Sequence, residues 1–220
     1  IHTREIGLMY SKDLDPHGRN VLYAYADANH RTPRSQGCRI VMFNGACVSF
    51  TSKKHTITSP STCWSEMITM FDCTIDVMAL RNLLAELGMY QEHPTRIYQD
   101  NQAAIQIANN RGSLGKTSRA MDLKTLSTRN HIEDHEVETA YINTTLQVAD
   151  MGTKALMENP FVKFRDTMNG YALVKAAYPD KIMSPLIYSG EGSWEGNCKT
   201  AAVQMLMSLN WCTVDELLRD

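Results

Sequence analysis

Two short β-rich runs, Cys38 to Phe43 and Cys47 to Thr51, flank the dipeptide Asn44-Gly45. A tight hairpin connection needs positive φ at its central residues to match the right-handed twist of the strands, and Asn-Gly tolerates that at least cost. A third β-rich run, Val21 to Asp27, stands just upstream, across a polar loop from Asn29 to Gly37. The first three strands are therefore expected to form an antiparallel meander. The rest of the chain must pack on that sheet or extend it.

Downstream of the meander, helical and strand patterns alternate. Ser59-Pro60 reads as an N-cap and first helical residue. From there Ile68, Phe71, Ile75, Met78, Leu83 and Leu87 recur at helical spacing, and Gly88 ends the pattern. At about 28 residues this helix is long against the usual 11–12. Thr95 to Gln99 reads as a strand with Asp100 at its end. Residues 101–109 read as a short helix, 110–117 as a glycine-containing loop, 119–133 as a helix and 137–142 as a strand. Val148 to Leu156 reads as the start of a helix with Asp150 in its first turn, and 158–178 as helical. The order β-β-β-α-β-α-α-β-α predicts an α/β fold with a mixed five-stranded sheet and helices on both faces.

Residues 1–20 are expected to be a connector, 21–175 one domain, and 176–220 a helical extension of unassigned role. Ser189 to Ser193 reads as a linker within that extension. Val203, Leu206, Met207 and Trp211 form an apolar stripe expected to dock on the domain's own surface, and Thr213 with Glu216 reads as a capping box. The chain begins at Ile1 and is expected to be a processed product or a piece of something longer.

Of the 220 residues 43% are hydrophobic, enough for a real core, and the formal net charge is −2. A strongly basic composition would point to nucleic acid directly. Here any such binding must use local charge or metal ions. The six cysteines form no C-x-x-C pair and read as scattered thiols in a reducing compartment. No apolar run reaches the roughly 20 residues of a membrane span. No targeting segment is visible, and an intracellular location is expected.

Four acidic residues fall at element ends or in first turns: Asp27, Glu66, Asp100 and Asp150. If the strands that end in Asp27 and Asp100 are neighbours, the two carboxylates meet, and the long helix can bring Glu66 over them. Clustered carboxylates raise one another's pKa, which is tolerable only with cations among them. Hard oxygen ligands with room for water and phosphate select Mg²⁺ or Mn²⁺. Two such ions, about 4 Å apart, suit phosphodiester hydrolysis.

Five blocks, in order, then carry a resemblance. Tyr25-Ala26-Asp27-Ala28-Asn29 resembles a Y-S-D-A-D block. Val48 to Lys54 resembles I-S-W-x-S-K-K, and Ser61 to Met67 resembles S-S-T-E-A-E-Y. Tyr98 to Ile105 resembles Y-C-D-N-Q-S-A-I, and Val148 to Leu156 resembles L-A-D-I-F-T-K-A-L. From about residue 3 to 170 the chain is similar to the RNase H domain of copia-type LTR retrotransposon polyproteins. That resemblance implies an RNase H fold, cleavage of the RNA strand of an RNA–DNA hybrid with two Mg²⁺ or Mn²⁺ ions, and an upstream reverse transcriptase domain. Asp27, Glu66, Asp100 and Asp150 take the catalytic, metal-binding positions. Asn29 stands where the family often has a second Asp, and Ala120 where it has a His.

For nucleic acid, residues 111–131 hold Arg111, Lys116, Arg119, Lys124 and Arg129 against the single acid Asp122, and Lys53 and Lys54 add charge after the third strand. Asn101 and Gln102, beside Asp100, are candidates to bond the 2′-hydroxyl that distinguishes RNA. Trp64 reads as a core residue. The competing reading is a domesticated, catalytically silent scaffold or RNA-binding subunit of a larger ribonucleoprotein assembly. An integrase-like DNA-cutting relative fits the blocks less well.

Overall fold

A computed structural model describes residues 7–11, 13–31, 33–110 and 119–172. The expected meander is present as β1 (Leu22–Asn29), β2 (Gln36–Phe43) and β3 (Ala46–Lys54), antiparallel in sequence. Asn44 (φ 48°) and Gly45 (φ 82°) both take the left-handed conformation that their turn demands.

Helix α1 (Thr62–Glu86) crosses to β4 (Thr95–Gln99), which lies parallel to β1. Helices α2 (Gln102–Asn109) and α3 (Arg119–Glu133) cross to β5 (Val137–Tyr141), parallel to β4. Two 3₁₀ turns, Thr144–Leu146 and Val148–Gly152, lead to α4 (Glu158–Met168). The sheet order is β3-β2-β1-β4-β5. The period of two divides the central strand between two cores. Leu22, Ala24 and Ala26 face α1 and α2. Tyr23 and Tyr25 face the second 3₁₀ turn and α4, through Val148, Ala149 and Phe164. Helical structure thus covers both faces, as expected.

Several local expectations are corrected. The N-cap of α1 is Ser61, whose Oγ accepts the Trp64 N–H, so the helix starts after Pro60. Ser59 is instead buried, with its hydroxyl 2.5 Å from that of Ser65. The stripe of α1 that meets the sheet runs through Met67, Met70, Cys73, Val77 and Leu84. Ile75 and Leu83 are about half exposed, and Phe71 lies under the Lys124 ammonium at 4.0 Å. This helix is apolar on several faces, so periodicity alone does not single out the packed one.

The residues from Val148 form a single 3₁₀ turn and not a longer helix. Gln147 fixes it, donating to the Ala26 carbonyl at 3.0 Å and accepting from the Ala149 N–H. Helix α4 stops at Met168, where the Met9 N–H bonds the Asn169 carbonyl and Gly170 adopts φ 79°. The expected helical stretch beyond residue 172 and the extension at 176–220, with its apolar stripe, lie outside the described residues. Cys38, Cys47, Cys63 and Cys73 are free, three of them buried.

Candidate active site

Parallel pairing of β1 with β4 sets Tyr25 opposite Tyr98. Continued by two residues, that register brings Asp27 beside Asp100, the residue just past the end of β4. Glu66 reaches them from the second turn of α1. Each of the three offers a carboxylate oxygen within 4.8 Å of the others. Asp27 and Glu66 are buried and Asp100 is half-buried. Three segments distant in the chain therefore converge at the carboxyl ends of two parallel strands.

Neighbouring side chains hold the trio. Gln99, fully buried, donates its amide to Glu66 Oε2 at 3.1 Å, and its carbonyl accepts the Asp100 and Asn101 N–H groups at 2.8 and 3.0 Å. Thr153 donates to Asp27 Oδ2, and Thr144 donates to Asp100 Oδ2 at 2.8 Å. Asn29 donates its amide to the Thr153 carbonyl at 3.2 Å, so the amide here braces the turn that carries Asp150.

Asp150 lies beside this trio and outside its tightest grouping. It is 4% exposed. Its Oδ2 pairs with Lys154 Nζ at 2.7 Å, and its Oδ1 is buried without a hydrogen-bond partner.

The electrostatics are those of buried carboxylates that repel one another. Burial pushes Asp27 up to about 7, helped by the Asp150 and Asp100 charges and opposed by the Thr153 hydrogen bond and Lys154. Burial holds Glu66 well above the ordinary carboxylate range, with Asp27 and Asp100 adding to it and the Gln99 and Ala28 hydrogen bonds opposing. A divalent cation would reverse both. The donor set fits one: all oxygen, no nitrogen or sulfur, with the unsatisfied Asp150 Oδ1 at its margin. That chemistry suits Mg²⁺ or Mn²⁺.

The remaining predicted residues divide. Lys53 and Lys54 are exposed at the end of β3, and Arg119 is exposed at the start of α3. Lys116 and Arg111 lie outside the described residues. Lys124 is taken by Asp72 at 2.8 Å, and Arg129 is buried with its guanidinium on the Ile107 carbonyl. Those two cations serve the fold, so the basic stretch is a weaker nucleic-acid candidate than its composition implies. Asn101 caps α2 through the Ala104 N–H, and Gln102 is exposed beside it. Trp64 is half-buried against the α1-side core. Gln99, Thr153 and Lys154 belong to the site without having been candidates on sequence grounds. Their signal is adjacency, since each lies within four residues of a predicted carboxylate along the chain.

A five-stranded sheet in this order, with acidic residues at the ends of its central parallel strands, defines a ribonuclease H-like domain. No protein-family model matches the chain. It is 27% identical over 145 residues, 64% of its length, to a retrovirus-related Pol polyprotein from transposon TNT 1-94 of Nicotiana tabacum. Fold, blocks and this similarity together support an RNase H domain of a copia-type polyprotein. The matched stretch spans 11% of that polyprotein's length. Among solved structures, the chain is similar to LC11-RNase H1 from compost, with a TM-score of 0.47 and 12% identity over 60% of this chain and 92% of that one. It is also similar to the N-terminal RNase H domain of Rv2228c from Mycobacterium tuberculosis, with a TM-score of 0.42 and 12% identity over 72% and 99%. Among the described residues no helix is long and apolar enough to cross a membrane.

Proposed function

We propose that this domain is a divalent-metal-dependent endonuclease that cleaves the RNA strand of RNA–DNA hybrids, as one part of a reverse-transcribing polyprotein. The observation that carries this reading is the convergence of Asp27, Glu66 and Asp100 within 4.8 Å from β1, α1 and the end of β4. Clustered carboxylates weaken a fold unless they bind something positive. Here Asp27, Glu66 and Asp100, with Asp150 at the margin, would hold two Mg²⁺ or Mn²⁺ ions. When bound, such ions activate a water and stabilise the leaving oxygen of a phosphodiester.

The protein's own residues supply position. Gln99 fixes Glu66 and, through two backbone N–H groups, the turn that bears Asp100. Thr153 and Thr144 each occupy one oxygen of Asp27 and Asp100 and leave the other for a ligand. Lys154 occupies one oxygen of Asp150 and leaves Oδ1 free. Asn101 keeps its amide N–H₂ after capping α2, and Gln102 is exposed beside it. Both suit a 2′-hydroxyl of the RNA strand.

The test is cleavage of an end-labelled RNA–DNA hybrid in Mg²⁺ or Mn²⁺, by the protein and by Asp100→Asn. The expected result is metal-dependent cutting of the RNA strand, lost in the variant. A folded protein that cuts in neither metal would overturn the enzymatic reading and favour a silent scaffold.

A further inference from the structure

Two cavities lie around the end of β3, and their charge differs. One, of about 420 Å³, is lined by Arg39, Lys53, Lys54 and Lys124 but also by Asp72 and Asp76. Its cations are partly spent: Arg39 pairs with both acids and Lys124 with Asp72. The other, of about 410 Å³, is lined by Arg31, Arg34, Lys54 and Lys154 and by no acidic residue. Arg31, Arg34 and Lys54 are exposed, and among the described residues no ion pair holds any of them.

The second cavity abuts the carboxylate cluster through two shared residues. Its wall includes Thr153, which bonds Asp27, and Lys154, which bonds Asp150. Its floor is tied across the sheet, because Gln36 donates to Ser52 and Ser52 to the Gly152 carbonyl. Lys54 lines both cavities, so the two meet at the end of β3.

We propose that Arg31, Arg34 and Lys54, which line this cavity beside the Asp150-paired Lys154, seat backbone phosphates of the nucleic acid next to the scissile bond. The inference rests on the nuclease reading and adds to it where the strand lies. Two physical arguments carry it. Like charges facing one concave space repel, and an anion between them removes that cost. In addition, a polyanion must approach four carboxylates in a chain whose net charge is −2. Screening confines useful attraction to about 10 Å at 0.1 M salt, so the compensating cations must adjoin the site. These do, sharing Thr153 and Lys154 with it. Phosphate contacts fix register without reading sequence, as a cleavage site acting on any hybrid requires.

The test is fluorescence-anisotropy titration of a labelled RNA–DNA hybrid at several salt concentrations, in an Asp100→Asn background that keeps the strand intact. Arg31→Ala/Arg34→Ala is compared with Arg19→Ala/Arg96→Ala, which removes equal charge at the opposite end of the strands. Each phosphate contact contributes about 0.9 to the slope of log K against log salt. The groove variant is expected to lose close to two from that slope and to bind about tenfold more weakly at 0.1 M salt. The control should match the parent. Equal slopes for parent and groove variant, or an equal loss in the control, overturn the groove. A parent that binds no hybrid at any salt overturns the nuclease reading and the groove together.

Discussion

Gly152 closes the 3₁₀ turn that carries Asp150, with its Cα pressed against β2. A Cβ built there would overlap Cys38 Sγ, stand 3.0 Å from Cys38 Cβ and 3.3 Å from Ser52 Cβ. The glycine does not use a left-handed backbone, so the effect of Gly152→Ala is purely steric. Ordinary carbon contacts lie near 3.5–4.0 Å, so the turn must move away from the sheet by about 1 Å. Overpacking of that order costs about 1–3 kcal/mol. With an m-value of about 2 kcal/mol/M, the urea midpoint should fall by roughly 1 M. The same shift displaces Asp150 and Thr153, and a misplacement of about 1 Å near the chemistry can cost about 10²-fold in rate. Cys38→Ala removes the overlapping sulfur. In the double variant, stability and hybrid cleavage should therefore both exceed the sum of the single effects, with a coupling of about 0.5–3 kcal/mol. Urea denaturation and single-turnover cleavage of all four proteins make the cycle. A Gly152→Ala protein as stable as its parent, or strictly additive effects, would refute the reasoning.

Proton and metal should compete for the trio. Asp27 is raised from an ordinary 3.8 to about 7, so between those values the folded state binds more protons than the unfolded state, and stability without metal falls as pH rises through that window. Mg²⁺ or Mn²⁺ should consequently raise the melting temperature strongly at pH 8 and little at pH 5, and a pH-independent shift would contradict the coupling. Glu66→Gln keeps an acceptor for Gln99 and removes a buried, repelled charge. At pH 8 without metal it should stabilise the fold by about 1–2 kcal/mol while abolishing the metal-induced rise; calorimetry that finds it less stable would show that Glu66 does not bear that strain.

Much of this architecture is legible in the sequence because local signals agree. Asn44-Gly45 marks its turn, and Gly88, at φ 77°, marks the end of α1. Asp100 just past β4 and Asp150 in the first turn of its 3₁₀ segment lie where the sequence puts them, whereas β1 runs on past Asp27 to Asn29 and Glu66 falls in the second turn of α1. Less legible is anything decided by packing between distant segments. The sheet-facing side of α1 is hidden because methionines and cysteines pack there while Phe71 and Ile75 face outward. Residues 148–156 carry helical periodicity, yet close contact of Gly152 with β2 stops the turn after five residues. Gln99 looks like one more strand residue, since its role depends on Glu66, 33 positions earlier. Arg31 and Arg34 sit in a loop whose neighbour, the Gly152–Lys154 segment, lies more than 100 residues on. By contrast, Lys124 and Arg129 look available in sequence, and only tertiary structure shows them engaged.

The carboxylates of the trio come from segments 39 and 34 residues apart, and no two belong to one hairpin or one helix. A chain with only its meander formed has Asp27 but neither partner, and the β1–β4 pairing that unites them requires α1 to have crossed the sheet. Cation capture therefore can serve as a reporter of completed tertiary assembly, because the nascent or partly unfolded polypeptide presents isolated acids of ordinary affinity. In the nuclease proposed above, competence would wait on the closing of the central parallel pair and on the docking of the turn that carries Asp150.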